Sequence, residues 1–182
     1  MRFSIGAAFL VAGLAGGYLT AVQSLSRAGT SPAPDGSRWL QEVVNPKDPY
    51  SIYAIGHFKS EGSLPPPRSA LLFYRTVDDD GNALRGDCYY RLASAALPAR
   101  WWAVSAAPLD ASTGAVTSTA ADVILTGDEK LDLALSRRAS PGNWLMVPDA
   151  TNLRVTLVLH EVYDKDKKAA LVLPTVTKVA CE

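Results

Sequence analysis

From Arg68 onward the chain alternates apolar and polar residues with a period of two, the pattern of strands with one buried and one solvated side. The clearest run sets Leu84, Gly86, Cys88, Tyr90 and Leu92 against Arg85, Asp87, Tyr89 and Arg91. "SALLFYRTV" precedes it; "RWWAVSA", "LDLALS", "NWLMV", "LRVTLVLH" and "LVLPTVTKV" follow. Together these predict about seven or eight strands joined by turns, which points to an antiparallel sandwich or barrel. "DDDGN", Asp78 to Asn82, predicts the turn of a hairpin, with Gly81 and Asn82 supplying the positive φ. Its contiguous carboxylates lack the alternate spacing and distant glutamate of an EF-hand loop, so no metal is expected.

Upstream the period changes. Asp48 and Pro49 have the form of a helix cap and first helical residue, and Ile52, Ile55 and Phe58 recur at helical spacing, predicting a short helix that ends before Gly62. Arg27 to Ser37 mixes Pro, Gly, Ser and Ala without periodicity and is expected to be a linker over 27–37, with the domain occupying 38–182.

Segment 1–26 is different again, because Phe3 to Val22 carries no charge and a helix of that length spans roughly 30 Å of hydrocarbon. It predicts a single-pass anchor in the inner membrane through residues 3–22. The alternative is a signal cleaved near Ser26–Ala28, releasing the domain into the periplasm. Arg2 precedes the span and only Arg27 follows closely, which favours an exported C-terminal domain. Gly13 and Gly17 have the spacing that lets two membrane helices approach, a route to a homodimer that small residues in any export segment would mimic.

The 182 residues carry 18 basic and 18 acidic side chains, and without Arg2 and Arg27 the balance is 16 to 18. A mildly acidic domain without clustered cations is not built for nucleic acid. Cys88 and Cys181 are the only cysteines. In an oxidising compartment an even pair, one in phase with a buried face and one at the end of the last strand, predicts a disulfide. The alternatives are two buried free thiols, or a reactive Cys88 activated by Arg85 and Arg91.

"LRGDCYYR", "PARWWAV", "PGNWL", "LRVTLVLHEVYD" and "LPTVTKVAC", with "DPYSIYAIGHFKSEGSLP" before them, occur in the order and rough spacing of a bacterial family. The chain resembles domain of unknown function 1214 over about residues 46–182. The resemblance implies a jelly-roll type of β-sandwich, often preceded by a second domain of unknown function that is missing here. It implies no reaction, and any site shared between two such domains would be incomplete.

The residues themselves carry no nucleophile elbow, zinc-protease helix or phosphate-cradling loop, and no cofactor is expected. His57 and His160 are expected to be structural. Trp101 and Trp102 must point to opposite sides of their strand, and an exposed Trp101 beside Arg100 would make a stacking platform. Trp144 is expected in the core. The candidate ligand-binding residues are Arg85, Asp87, Arg100, Trp101 and His160. Two function classes follow. One is a binding or structural module of the envelope, with a glycan, lipid or protein partner; the other is a hydrolase or isomerase of unrecognised type with a pocket at one end of the sandwich. Arg85, Asp87, Arg100 and His160 sharing a pocket would favour the enzyme.

Overall fold

A computed structural model describes residues 2–27, 30–42, 70–109, 116–119, 121–125, 130–162 and 171–181. The chain forms two compact units, one of Met1–Thr30 with Val43–Pro65 and one of Ser31–Glu42 with Pro66–Glu182. The expected helix at 48–61, with His57, lies outside the described residues.

In the first unit the charge-free stretch forms α1, Arg2–Arg27. Its side chains are described at Gly6 and from Phe9 to Val22. Among the described residues no helix is long and apolar enough to cross a membrane. Phe9, Leu10, Leu14 and Tyr18 are all well exposed, and a Cβ added at Gly13 or Gly17 would meet no atom within 4 Å.

The second unit is mainly β. Its strands are β1 (Thr30–Pro32), β2 (Leu40–Glu42), β3 (Ala70–Arg75), β4 (Cys88–Ser94), β5 (Ala99–Pro108), β6 (Val116–Thr119), β7 (Leu131–Ser136), β8 (Trp144–Met146), β9 (Leu153–Val162) and β10 (Thr175–Cys181). They make a six-stranded sheet, β1-β2-β3-β9-β5-β6, and a four-stranded sheet, β10-β4-β7-β8. β8 runs parallel to β7, whereas β4 pairs antiparallel with both β7 and β10. Each expected strand is present, and β1, β2 and β6 are additional.

Period-two burial explains the core. Leu92, Leu133, Leu135 and Val176 from the smaller sheet join Phe73, Trp102, Val104, Leu157 and Leu159 from the larger in one cluster of buried residues. Each fully buried Leu, Val or Phe contributes about 1.5–3 kcal/mol relative to exposure.

Three expectations need correction. "DDDGN" closes the turn of a short local hairpin, with the Asp78 amide donating to Asn82 O at 2.8 Å, the Leu84 amide to Thr76 O at 2.9 Å and an antiparallel bridge between Val77 and Ala83, but β3 and β4 lie in different sheets, so the two strands do not go on to pair. Gly81 takes φ 94 while Asn82 does not take positive φ; it donates instead to the Asp78 carboxylate. Part of the expected linker is tied into the domain: Ala33 is buried and the Leu173 amide donates to Asp35 at 2.8 Å. Just beyond it, Trp39 is fully buried with its indole N–H on Pro174 O at 2.7 Å. Composition marked 27–37 as a tether because Pro and Gly break periodicity, but long-range hydrogen bonds leave no local trace. Third, Trp144 is not a core plug. Parallel pairing sends Leu145 inward, and the Trp144 indole donates to Ser136 O at 3.0 Å.

Cys88 and Cys181 form a disulfide, directly opposite each other in the β4–β10 register. It ties the last strand to the start of β4.

Candidate functional site

The five candidate residues fall into two groups. The Arg85 guanidinium holds Asp87 through two hydrogen bonds, one of them Nε to Oδ1 at 2.9 Å. The positions are fixed by Gly86 between them, whose N–H donates to Ala150 O at 2.8 Å and whose Cβ, if present, would lie 2.2 Å from Pro148 O. Only glycine permits that approach of two backbones. The Arg85 bond holds the Asp87 carboxyl below its ordinary range, and Asp87 raises Arg85 in turn.

The other group sits on the larger sheet. Trp101 pairs with His160 across β5 and β9, their rings 5.0 Å apart, and Trp101 stays 39% exposed while Trp102 is buried. Beside them Arg100 bridges Glu161 at 3.1 Å, and Glu161 takes φ 50, an uncommon conformation for a residue with a side chain. Arg85 and Asp87 adjoin the start of β9, since the Leu153 amide donates to Leu84 O, whereas His160 lies near the end of that strand. Seven residues of extended chain separate the two, about 23 Å. The arrangement does not bring Arg85, Asp87, Arg100 and His160 into one pocket.

What the structure does assemble lies on the outward side of the four-stranded sheet. Arg91 and Asp132 face each other from β4 and β7, with Nε to Oδ1 at 2.7 Å and Nη2 to Oδ2 at 2.5 Å. The hydrogen bond from Arg91 lowers the Asp132 carboxyl below its usual value despite partial burial, and Asp132 raises Arg91, so the pair stays ionised. Around it a depression of about 550 Å³ is lined by Tyr89, Ile124, Asn143 and Val179 among others. A second, of about 240 Å³, is lined by Asp87, Tyr89, Arg137, Arg138, Ser140 and the disulfide. Tyr89 borders both.

The loop between β7 and β8 contributes to both depressions and is pinned from two sides. Asn143 donates to Ile124 O at 2.7 Å and to Asp132 O at 3.0 Å, and accepts from the Ile124 amide at 2.8 Å. The buried Ser136 hydroxyl donates to Arg138 O at 2.6 Å, and Arg137 bridges Asp149 at 3.1 Å. Sequence reasoning missed Tyr89, Arg91, Asp132, Arg137 and Asn143 as site residues. Outward alternation in "CYYRLAS" and "LDLALS" was the available signal for Tyr89, Arg91 and Asp132, but the adjacency of β4 and β7 was not visible. Among the described residues no group of His, Cys, Asp and Glu could hold a metal ion.

The family described as "Protein of unknown function (DUF1214)" matches residues 69–164, more than half of the chain. The chain belongs to that family. No curated protein matches it. Among solved structures, the VPA0106 protein from Vibrio parahaemolyticus is similar at 16% identity with a TM-score of 0.59, over 90% of this chain and 43% of that protein. An uncharacterised protein from Burkholderia cenocepacia aligns at 15% identity and a TM-score of 0.46, over 64% of this chain and 31% of that one. The chain thus spans less than half the length of either, and the first likeness supports the fold alone.

Proposed function

We propose that this member of the DUF1214 family is a non-catalytic binding module of the cell envelope. In this reading it is a jelly-roll-like sandwich held at the inner membrane by α1, faces the periplasm, and carries its ligand on the outward side of the four-stranded sheet. The observation that carries the reading is the distribution of polar chemistry. Arg85 and Asp87 lie about 23 Å along β9 from His160, while Tyr89, the Arg91–Asp132 pair and the pinned loop converge on one open face. An enzyme needs an acid, a base or a nucleophile within reach of one another. A binding face needs shape and satisfied, solvent-facing hydrogen-bonding groups.

Anchoring is supported by the charge-free Phe3 to Val22 stretch, which is longer than the part of α1 whose side chains are described, and by the large apolar side chains that α1 leaves exposed. Export is supported by the Cys88–Cys181 bond, since disulfides persist in oxidising compartments. A close approach of two copies through Gly13 and Gly17 is compatible with this placement. A reporter fused after Glu182 is expected to be active only when exported, and the chain to resist carbonate extraction with its N-terminus intact. Cytoplasmic activity overturns the placement, and a mature N-terminus near Ala28 replaces the anchor by a signal. For the binding role, the full chain in detergent is expected to be retained on isolated envelope material, and the change Tyr89→Ala to abolish that retention.

A further inference from the structure

Resting on the reading just proposed, we infer that the ligand on this face is a neutral polysaccharide. A sugar ring packs on Tyr89 and its hydroxyls are read by the Arg91–Asp132 pair.

Charge decides between ligand classes. Arg91 is matched by Asp132, Arg85 by Asp87 and Arg137 by Asp149. An anionic lipid headgroup or an acidic polymer gains most from cations with no carboxylate beside them; these three pairs offer none, and Arg138, the other cation lining the smaller depression, is itself engaged. The matched pairs still have capacity to spare. A guanidinium has five N–H donors and two of those on Arg91 go to Asp132, while each carboxylate oxygen keeps a free lone pair. Arg91 is 60% and Asp132 42% exposed, so this capacity faces solvent. Donors and acceptors side by side with no net charge suit hydroxyl groups, which do both.

The apolar part of the face fits the same ligand. Tyr89 stands at the junction of the two depressions, and Ile124 and Val179, both exposed, border the larger one. A sugar ring presents C–H faces to such surfaces and hydroxyls at its rim. Two depressions meeting at one ring call for an elongated ligand of several sugar units. The loop that borders both is already held by Asn143 and Ser136, so little ordering remains to oppose binding.

A peptide added as a strand would use a sheet edge instead, and at the β10 edge the Asp79 amide already occupies Val176 O at 2.9 Å. That edge carries Lys178 and a bulge between Lys178 and Ala180, two devices that discourage strand addition.

The test titrates the full chain in detergent micelles with neutral hexose oligosaccharides of increasing length, uronate oligosaccharides of matched length, and anionic phospholipid vesicles. The neutral series is expected to bind, more tightly with length. Tyr89→Ala should weaken binding by about tenfold, with Tyr89→Phe retaining it, and Asp132→Asn should weaken it severalfold. Trp101→Ala, on the other sheet, should leave it unchanged. Preference for uronates or vesicles overturns the inference, as does binding that Tyr89→Ala leaves intact. If the chain is retained on envelope material through Tyr89 yet no neutral oligosaccharide binds, the polysaccharide falls and the binding module stands. If neither is seen, both fall.

Discussion

On the four-stranded sheet the outward positions of β4 and β7 include Tyr89, Arg91 and Asp132, the last two well exposed, whereas on the six-stranded sheet the outward positions of β3 and β5 include Leu72, Tyr74, Ala103 and Ala107, which are between 6% and 9% exposed. The inward positions are apolar in both, Leu and Val with Cys88 and Tyr90 in the smaller sheet and Leu and Val with Phe73 and Trp102 in the larger. The contrast was present in the sequence as a difference in period. "CYYRLAS" alternates, while "SALLFYR", grouped above with the period-two strands, is in fact a continuous apolar run, and a strand buried on both sides needs no alternation. A polar outward face is therefore informative only where its neighbour strand is polar outward as well, as β7 is beside β4.

The contrast can be tested by perturbation. The largest effect is expected where the smaller sheet is closed. Replacing both Cys88 and Cys181 by Ala removes a link between residues 93 apart in sequence and should cost about 4 kcal/mol of stability, read as a lower urea midpoint of the full chain. Next comes Gly86→Ala. Its new methyl would lie 2.2 Å from Pro148 O and 2.7 Å from Ala150 N, both backbone atoms that a side-chain rotation cannot clear. A loss of about 3 kcal/mol is expected, whereas Gly36→Ala, at φ 71 with open space around it, should cost about 1 kcal/mol. The outward faces themselves are compared by truncating each. Leu72→Ala, at a site 6% exposed, should cost about 2–3 kcal/mol; Arg91→Ala, from an exposed ion pair, should cost about 0.5 kcal/mol or less. Equal losses at the two positions would erase the distinction between a packed face and a binding face.

Much of this architecture was legible locally. The period of two placed Cys88, Tyr90 and Leu92 inward, and the neighbouring tryptophans had to separate, leaving Trp101 partly exposed. The disulfide followed from two cysteines in phase with buried or terminal strand positions. What stayed hidden was set by strand order. Arg91 meets Asp132 because β4 lies between β10 and β7, and Arg85 lies far from His160 because it adjoins the start of β9 while His160 stands near that strand's end. Neither adjacency has a local signature, so residues that seemed equivalent along the chain were assigned to one site when they belong to two. Trp39 and Asp35 were hidden for the same reason, since their partners, Pro174 and Leu173, lie at the far end of the chain.

An effect that fades in acid concerns the turn where the chain crosses from the larger sheet to the smaller. Asp78 is buried, which alone would raise its carboxyl. The backbone and side-chain amides of Asn82, together with the charge of Lys178, outweigh that and hold it below the ordinary value of 3.8. A depressed folded-state value means the charged form stabilises the fold. That contribution is complete above the unfolded value and is lost as pH falls through the folded one, so the window lies below pH 3.8. Near neutral pH, Asp78→Asn should cost about 1 kcal/mol, the worth of one hydrogen bond. In acid the variant and the parent should converge, because the protonated carboxyl no longer holds its advantage. Denaturation midpoints measured from pH 7 downward decide it. A gap between the two proteins that stays constant through the acid range would mean that Asp78 acts through packing alone, and that the crossing between the sheets is fixed by Gly81 and the bridge from Val77 to Ala83 rather than by charge.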